Sequence, residues 1–194
     1  MNKNILRKLY LEKRMTLTQE EYNRRNLRLC AHFFEYVNLS DVNALHVFLP
    51  IKEKREPDTW LLIRRLTTAY PQISIVISKT IWHSISLELY RFEGMEQLKV
   101  NKWGIPEPEY GQKVDFKDID LVLVPLVSFD MKGSRIGYGK GFYDRFMAQC
   151  RPDVQKIGYA LSSPLDYIPF NDQHDVHLNG CITPYGMIHF NNNI

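Results

Sequence analysis

One segment of the chain combines residue types and spacing suited to phosphate: Asp130-Met-Lys-Gly-Ser-Arg-Ile-Gly-Tyr-Gly-Lys-Gly-Phe-Tyr-Asp144. Gly137, Gly139 and Gly141 alternate, Lys140 stands between the last two, and Arg135 lies just ahead of the first. Glycines let backbone N–H groups approach an anion, the two cations neutralise it, and a helix starting after Gly141 adds unpaired donors. The spacing is not that of the Walker loop, Gly-x-x-x-x-Gly-Lys-Ser/Thr. Nor is it the dinucleotide fingerprint Gly-x-Gly-x-x-Gly, which follows the first strand of its unit. A connection that merely turns the chain is the competing reading, but three glycines in five residues with a lysine among them exceed what a turn requires.

The elements that must hold this loop are legible on either side of it. The apolar run from Ile119 to Val127 reads as a buried strand, and Phe142-Tyr-Asp-Arg-Phe-Met-Ala-Gln149 as the start of a helix. Upstream, Ile5, Leu6, Leu9 and Tyr10 share one face of a first helix. Thr18-Gln-Glu-Glu21 has the capping-box pattern and opens a second helix toward Tyr36. Ala44 to Leu49 is a strand ended by Pro50, and Pro57-Asp-Thr59 starts a helix that runs through Ala69. Ile73 to Ile77 is a second strand. Leu87 to Phe92 alternates and reads as a more exposed one; Lys156 to Ala160, Cys181 to Thr183 and Gly186 to Phe190 complete the set. Helices alternating with short apolar strands predict an α/β fold, with a mostly parallel central sheet covered on both faces. Ligands of such sheets collect outside the carboxyl ends of the strands, so the loops after Leu49, Val127 and Ala160 are expected to converge.

A chain of 194 residues fits a single domain spanning 1–194. Its 44% apolar content is that of a soluble globular protein, and its net charge of +3 admits anionic small molecules without calling for nucleic acid. Lys52-Glu-Lys-Arg-Glu56 reads as a solvated mixed-charge loop. Cys30, Cys150 and Cys181 are odd in number and widely spaced, which disfavours a disulfide framework and suits a reducing cytoplasm. The polar N-terminus lacks the apolar core of a signal peptide, and no stretch approaches the length of a membrane span. His174 and His177 have no third ligand nearby in sequence, which disfavours a zinc centre.

Arg135-Ile-Gly-Tyr-Gly-Lys-Gly-Phe-Tyr-Asp144 resembles the signature of the 5-formyltetrahydrofolate cyclo-ligase family. Four further segments agree in order and kind: Lys3-Asn-Ile-Leu-Arg7, Glu56-Pro-Asp-Thr59, Trp103-Gly-Ile-Pro-Glu-Pro108, and His174-Asp175 with Ile182-Thr183. The resemblance spans almost the whole chain. It implies conversion of 5-formyltetrahydrofolate and ATP to 5,10-methenyltetrahydrofolate, ADP and phosphate, with Mg²⁺. It also implies a three-layer α/β/α fold of the sugar-phosphate isomerase and CoA transferase type, a cytoplasmic location, and small molecules as the only partners. A monomer is the expected state, with no membrane or nucleic-acid partner.

By the same resemblance, ATP is bound by Lys3, Arg7 and the loop Arg135, Ile136, Gly137, Tyr138, Gly139, Lys140, Gly141, Phe142 and Tyr143, with Lys140 and Arg135 acting on the transferred phosphoryl group. Asp144 and Asp175 hold Mg²⁺. Leu49, Glu56, Trp103 and Tyr143 contact the folate. Read without the resemblance, Lys3 and Arg7 are a solvated basic face one helical turn long, Asp144 is a helix-dipole acid, Asp175 a loop acid, and Trp103 a packing residue. The chain departs from the family pattern at Tyr138, commonly Arg, and at Phe142, commonly Tyr. It departs also at Leu126 and Ser128, where Gly and Ala are usual, and in a slightly longer loop between Leu49 and Glu56. The alternatives are an ATP-dependent ligase of the same fold with another substrate, a non-catalytic nucleotide-binding protein, and a nucleic-acid binder, which the modest charge disfavours.

Overall fold

The computed structural model describes residues 2–170 and 175–190. Two helices come first. In α1 (Lys3–Met15) the Asn2 side chain caps the amide of Ile5. In α2 (Gln19–Tyr36) the Thr18 hydroxyl accepts the amide of Glu21 at 3.1 Å. The capping pattern is half used, because the Glu21 carboxylate turns instead to Arg24 and Arg25 one turn ahead. The apolar face expected of α1 is narrower than its sequence implies. Leu6 packs with Val127, Ile136 and Ile168, while Ile5 and Leu9 are exposed, because α1 lies on a loop cluster and not on the broad face of the sheet.

The remaining elements are β1 (Ala44–His46), α3 (Trp60–Ala69), β2 (Ser74–Ile81), β3 (Ser86–Arg91), β4 (Leu98–Val100), β5 (Pro106–Pro108), β6 (Lys113–Val114), β7 (Leu121–Pro125), β8 (Ser128–Phe129), β9 (Arg135–Ile136), α4 (Phe142–Met147), β10 (Gln155–Tyr159), β11 (Gly180–Thr183) and β12 (Gly186–His189). Eight strands form one sheet in the order β12-β11-β10-β7-β1-β2-β3-β6. The run from β11 to β2 is parallel, and β12, β3 and β6 close its two sides antiparallel. The central strands read as unbroken apolar runs because both faces are covered. Leu45, Ile77, Leu123 and Tyr159 meet Leu29 and Phe33 of α2 and Leu62 and Leu66 of α3. Val76, Val122 and Val124 meet Phe146 and Met147 of α4, with Leu178 and Phe190. The second covering layer is thinner than the first, since α4 runs for only six residues and connecting segments fill the rest.

Two deviations from the expected elements, and a switch of direction in the sheet, shape the site. The strand expected to reach Val127 stops at Pro125, and the chain re-pairs as the small β8-β9 ribbon that launches the glycine loop. The fully buried Asp130 braces that ribbon by accepting the amides of Lys132 and Ser134 at 2.9 Å and of Ile168 at 2.9 Å. β2 continues four residues past Ile77, so that Ser78, Thr80 and Trp82 reach the carboxyl end of the sheet. β1 is joined to β2 on one side and to β7 on the other, and the switch of direction opens a crevice where such sheets bind ligands.

Candidate functional site

A cavity of about 1300 Å³ fills this crevice. The loops after β1 and β7 border it, as expected, and the glycine loop forms one wall. Lys3 and Arg7 of α1, Leu49, Glu56, Trp103, Arg135, Asp144, Asp175 and every residue from Gly137 to Tyr143 line it. Ile136 does not: its side chain is fully buried against Leu6 and Val127, so it anchors the loop from behind. His174 lies outside the described residues. The connection after Ala160 reaches it too: its first part pairs with Asp130 and Met131 through Leu165, and its far end supplies Asp175 and Val176 to the lining.

The glycine loop has specific steric demands. Gly139 and Gly141 take φ of 84° and 74°, a left-handed conformation that residues with a side chain rarely adopt. A Cβ on Gly139 would also fall 2.7 Å from the Arg7 guanidinium, which holds the loop through a 2.7 Å hydrogen bond from Nε to the Gly137 carbonyl. Gly137 has no protein atom within 4 Å of where its Cβ would be and faces the open cavity. The short α4 makes the helix-dipole contribution smaller than the sequence suggests.

The charged residues fall into three groups. Arg135, mostly buried, donates to the Asp144 carboxylate at 2.5 Å and to the Val176 carbonyl, while the Val176 amide donates to the same Asp144 oxygen at 3.1 Å. This ties Asp144 to the residue following Asp175. Lys3 forms a close ion pair with Asp175 across 172 residues of sequence. Lys140 is exposed and makes no ion pair among the described residues, and Arg145, one turn on, is the same in this respect. Six cations and three carboxylates line the cavity, an excess suited to a polyanion.

Glu56 lies on the opposite wall, only 3% exposed, with its carboxylate accepting the Ile51 amide at 2.7 Å. Burial pushes its pKa up, against the hydrogen bond from the Ile51 amide, the nearby Tyr138 hydroxyl and the charges of Arg14 and Lys54. Lys52-Glu-Lys-Arg-Glu56 is therefore not wholly a solvated loop: Lys52, Glu53 and Lys54 are exposed, but Glu56 turns inward. Tyr138, the departure from the family pattern, is not remote from cations. Lys54 sits 4.4 Å over its ring and Arg14 donates to its hydroxyl at 2.7 Å. Tyr143 is half-buried, and its phenol is pushed up by desolvation and by Glu56, so it stays neutral.

Of the apolar end, sequence reasoning named Leu49 and Trp103 and missed Trp82. Trp82 stacks on Trp103 with ring centroids 3.7 Å apart and planes 28° apart, and Phe142 meets Trp82 edge-on at 5.3 Å. Phe48, Ile51, Leu87 and Ile105 complete that wall. Trp82 belongs to the turn between β2 and β3, and nothing local in the sequence places it beside the β4-β5 connection that carries Trp103. Lys54 and Arg145 were also missed, the first read as part of a solvated loop and the second as an ordinary helix residue. Among the described residues no three His, Cys, Asp or Glu side chains cluster.

Comparison with known proteins agrees with this arrangement. A fission-yeast protein, a probable 5-formyltetrahydrofolate cyclo-ligase of Schizosaccharomyces pombe, is 36% identical over 131 residues, which cover 59% of this chain and 63% of that one. The 5-formyltetrahydrofolate cyclo-ligase of Escherichia coli K12 is 27% identical over 181 residues, 89% of this chain and 95% of the relative. The solved structure of Aquifex aeolicus 5,10-methenyltetrahydrofolate synthetase superposes with a TM-score of 0.84 at 27% identity, covering all of this chain and 95% of that one. The family model for the 5-formyltetrahydrofolate cyclo-ligase family matches residues 1–184, and with the glycine loop, the acid pair and the buried glutamate gathered round one cavity, this chain belongs to that family.

Proposed function

We propose that this protein cyclises 5-formyltetrahydrofolate to 5,10-methenyltetrahydrofolate, consuming ATP and releasing ADP and phosphate, at the crevice between β1 and β7. The observation that carries the reading is the convergence on one cavity of a cation-rich phosphate loop, a pair of carboxylates and an aromatic wall. A formamide oxygen is a poor leaving group. Transfer of the γ-phosphoryl group to it breaks the bond to ADP and gives an imidate-like phosphate. The neighbouring anilino nitrogen then attacks the activated carbon, the ring closes with loss of the nitrogen's proton, and inorganic phosphate departs. Such a reaction needs positioning and charge stabilisation more than a protein nucleophile.

Each residue then has a task. Lys140, exposed on the loop and without an ion pair among the described residues, takes the phosphoryl oxygens, and Arg7 and Lys3 reach the triphosphate from α1. Backbone groups from Gly137 to Tyr143 approach it where no side chain intervenes. Arg135 is engaged with Asp144, so its larger contribution is to aim that carboxylate. Leu49, Trp103 and Trp82 form the apolar wall for the folate rings, and Glu56 accepts hydrogen bonds from their guanidine-like edge. Asp144 and Asp175 suit Mg²⁺, a hard cation that needs one or two carboxylates and completes its shell with water and phosphate oxygens. Asp144 uses only one oxygen in its bonds to Arg135 and Val176. Bound there, Mg²⁺ would neutralise charge on the β and γ phosphates.

We read residues 1–194 as one such domain, working as a monomer in the cytoplasm. The cysteines Cys30, Cys150 and Cys181 are all unbridged, and no helix among the described residues is long and apolar enough to cross a membrane. The test is to mix the purified protein with 5-formyltetrahydrofolate, ATP and Mg²⁺ and follow the near-ultraviolet absorbance of the methenyl product. Absorbance growth that requires all three components is the expected result. ATP binding without growth would point to a different acceptor, and absence of both would overturn the reading.

A further inference from the structure

The short turn Lys52–Lys54, between β1 and α3, presents a cation to the cavity. Lys54 lines that cavity, and its ammonium rests 4.4 Å over the centre of the Tyr138 ring. Tyr138 lines it too but brings no charge of its own to the glycine loop. Its ring is held from behind. Arg14 donates to the hydroxyl at 2.7 Å, and the ring packs against the cluster of Leu6, Val127, Ile136 and Ile168.

The turn is fixed at both ends. The Ile51 amide donates to the Glu56 carboxylate at 2.7 Å, and the Lys54 amide donates to the Ile51 carbonyl at 3.1 Å. Beyond Lys54, the Arg55 guanidinium donates to the Gln19 side chain at 3.2 Å and lies over the Tyr22 ring. The Tyr22 hydroxyl donates to the Glu56 carbonyl at 2.6 Å. The neighbouring Glu53 carboxylate sits by Gly104, 2.9 Å from where a Cβ there would be. Among the described residues no carboxylate comes within ion-pair distance of Lys54.

We propose that Lys54 binds the terminal phosphate of the nucleotide, with the Tyr138 ring as the platform that holds its ammonium in place. This deepens the functional reading and rests on the cavity taking ATP. A lysine ammonium is a compact point charge on a flexible stem, and ordering that stem against an anion costs rotamer freedom. An aromatic face attracts the ammonium electrostatically, so part of that ordering is already done before the ligand arrives. The ring takes one side of the ammonium and leaves its other donors for an anion. Space for the anion lies beside the ring: Gly137 has no protein atom within 4 Å of where its Cβ would be, and the Arg7 guanidinium stands by Gly139, the next residue on the other side of Tyr138. Lys54 is two residues from Glu56 on the folate wall, whereas Lys140 belongs to the phosphate loop. The phosphate at that boundary is the one that must pass from nucleotide to folate.

The experiment titrates ATP and, separately, ADP into the protein with Mg²⁺ in a calorimeter. Lys54→Met, Lys54→Arg, Tyr138→Leu and the double variant Lys54→Met with Tyr138→Leu are compared with the unaltered protein, and the KM for 5-formyltetrahydrofolate is measured for each. Lys54→Met should weaken ATP about tenfold, the loss expected for one hydrogen bond to a charged group, and leave ADP unchanged. Lys54→Arg, which keeps the charge, should restore most of the affinity. Tyr138→Leu should also weaken ATP, and the double variant should bind no worse than the weaker single one, because platform and cation act as a unit. If Lys54→Met binds ATP normally, the role of Lys54 is overturned and the functional reading stands. An equal loss for ATP and ADP overturns the terminal phosphate as its contact. A raised KM for the folate with ATP binding intact overturns the proposal and assigns Lys54 to the folate carboxylates. Additive losses in the double variant overturn the platform. The Lys54 variants change an exposed side chain and decide the phosphate contact even where Tyr138→Leu fails to fold. If the unaltered protein binds no ATP, the proposal and the functional reading fall together.

Discussion

Lys140 and Asp144 lie four residues apart and differ in what holds them. Lys140 is exposed and unpaired among the described residues, so its charge is available to a ligand and contributes little to folding. Lys140→Ala should therefore leave the unfolding temperature unchanged while weakening ATP and lowering kcat about 10²–10³-fold, the scale set by removing one preorganised charge-stabilising donor. Near-normal kinetics would remove the phosphate role from the loop. Asp144 is bound to the buried Arg135 and to the Val176 amide, so it has a structural task as well. Asp144→Asn keeps the acceptor oxygen but strands the Arg135 charge. We expect it to raise the Mg²⁺ concentration needed for half-maximal rate and also to cost roughly 1–2 kcal/mol of stability. Titration of Mg²⁺ alongside denaturant unfolding separates the two effects, and an unchanged Mg²⁺ dependence would move the metal elsewhere.

At the scale of the elements, β1 carries a second consequence. His46 is fully buried between the sheet and α4, with its ring edge-on to Phe146 at 4.9 Å and Tyr143 at 5.8 Å. Neither ring nitrogen reaches hydrogen-bonding geometry, and although the nearby Leu123 backbone favours the charged form, burial dominates and lowers the pKa from 6.5 to about 3. Because the folded pKa is depressed, the unfolded chain takes up the proton first. The stability contributed by neutral His46 is fully present above pH 6.5 and is lost as pH falls toward 3. Over that window denaturant-measured stability should decline by about 1.4 kcal/mol per pH unit from this group alone. His46→Leu should flatten the decline, and an identical slope in the variant would assign acid sensitivity to other groups. The strand and the glycine-loop helix share this contact, so protonation of His46 is also expected to loosen the loop's support.

For the molecule as a whole, the cavity joins segments from nearly the full length of the chain, from Lys3 to Val176. Ligand binding should therefore stabilise the entire fold by mass action, with an unfolding temperature that rises with ligand concentration. The aromatic wall supplies an internal reporter. Trp82 and Trp103 stack at the cavity, whereas Trp60 packs on the other face of the sheet near Phe92. 5-Formyltetrahydrofolate should change tryptophan emission in the protein and in Trp60→Phe, and the change should shrink in Trp82→Phe and Trp103→Phe. A response that disappears with Trp60 instead would place the folate elsewhere.

What the sequence determined by itself was local. The apolar runs of β1, β7 and β10, the Thr18 cap, the glycine loop with Lys140 and the helix after it could all be read because period, capping and turn chemistry act over a few residues. Doubly covered strands give unbroken apolar runs, so a mostly parallel sheet was legible too. The tertiary structure decided everything that depends on strand order. It paired Lys3 with Asp175 and turned Arg135 to Asp144. It also set Trp82 on Trp103 and buried Arg14 against the Tyr138 hydroxyl. It stopped β7 at Pro125 and kept α4 short. These contacts join segments with no shared periodicity, and their geometry is fixed only once the sheet switches direction between β1 and β7 and brings the carboxyl ends of its strands to one crevice.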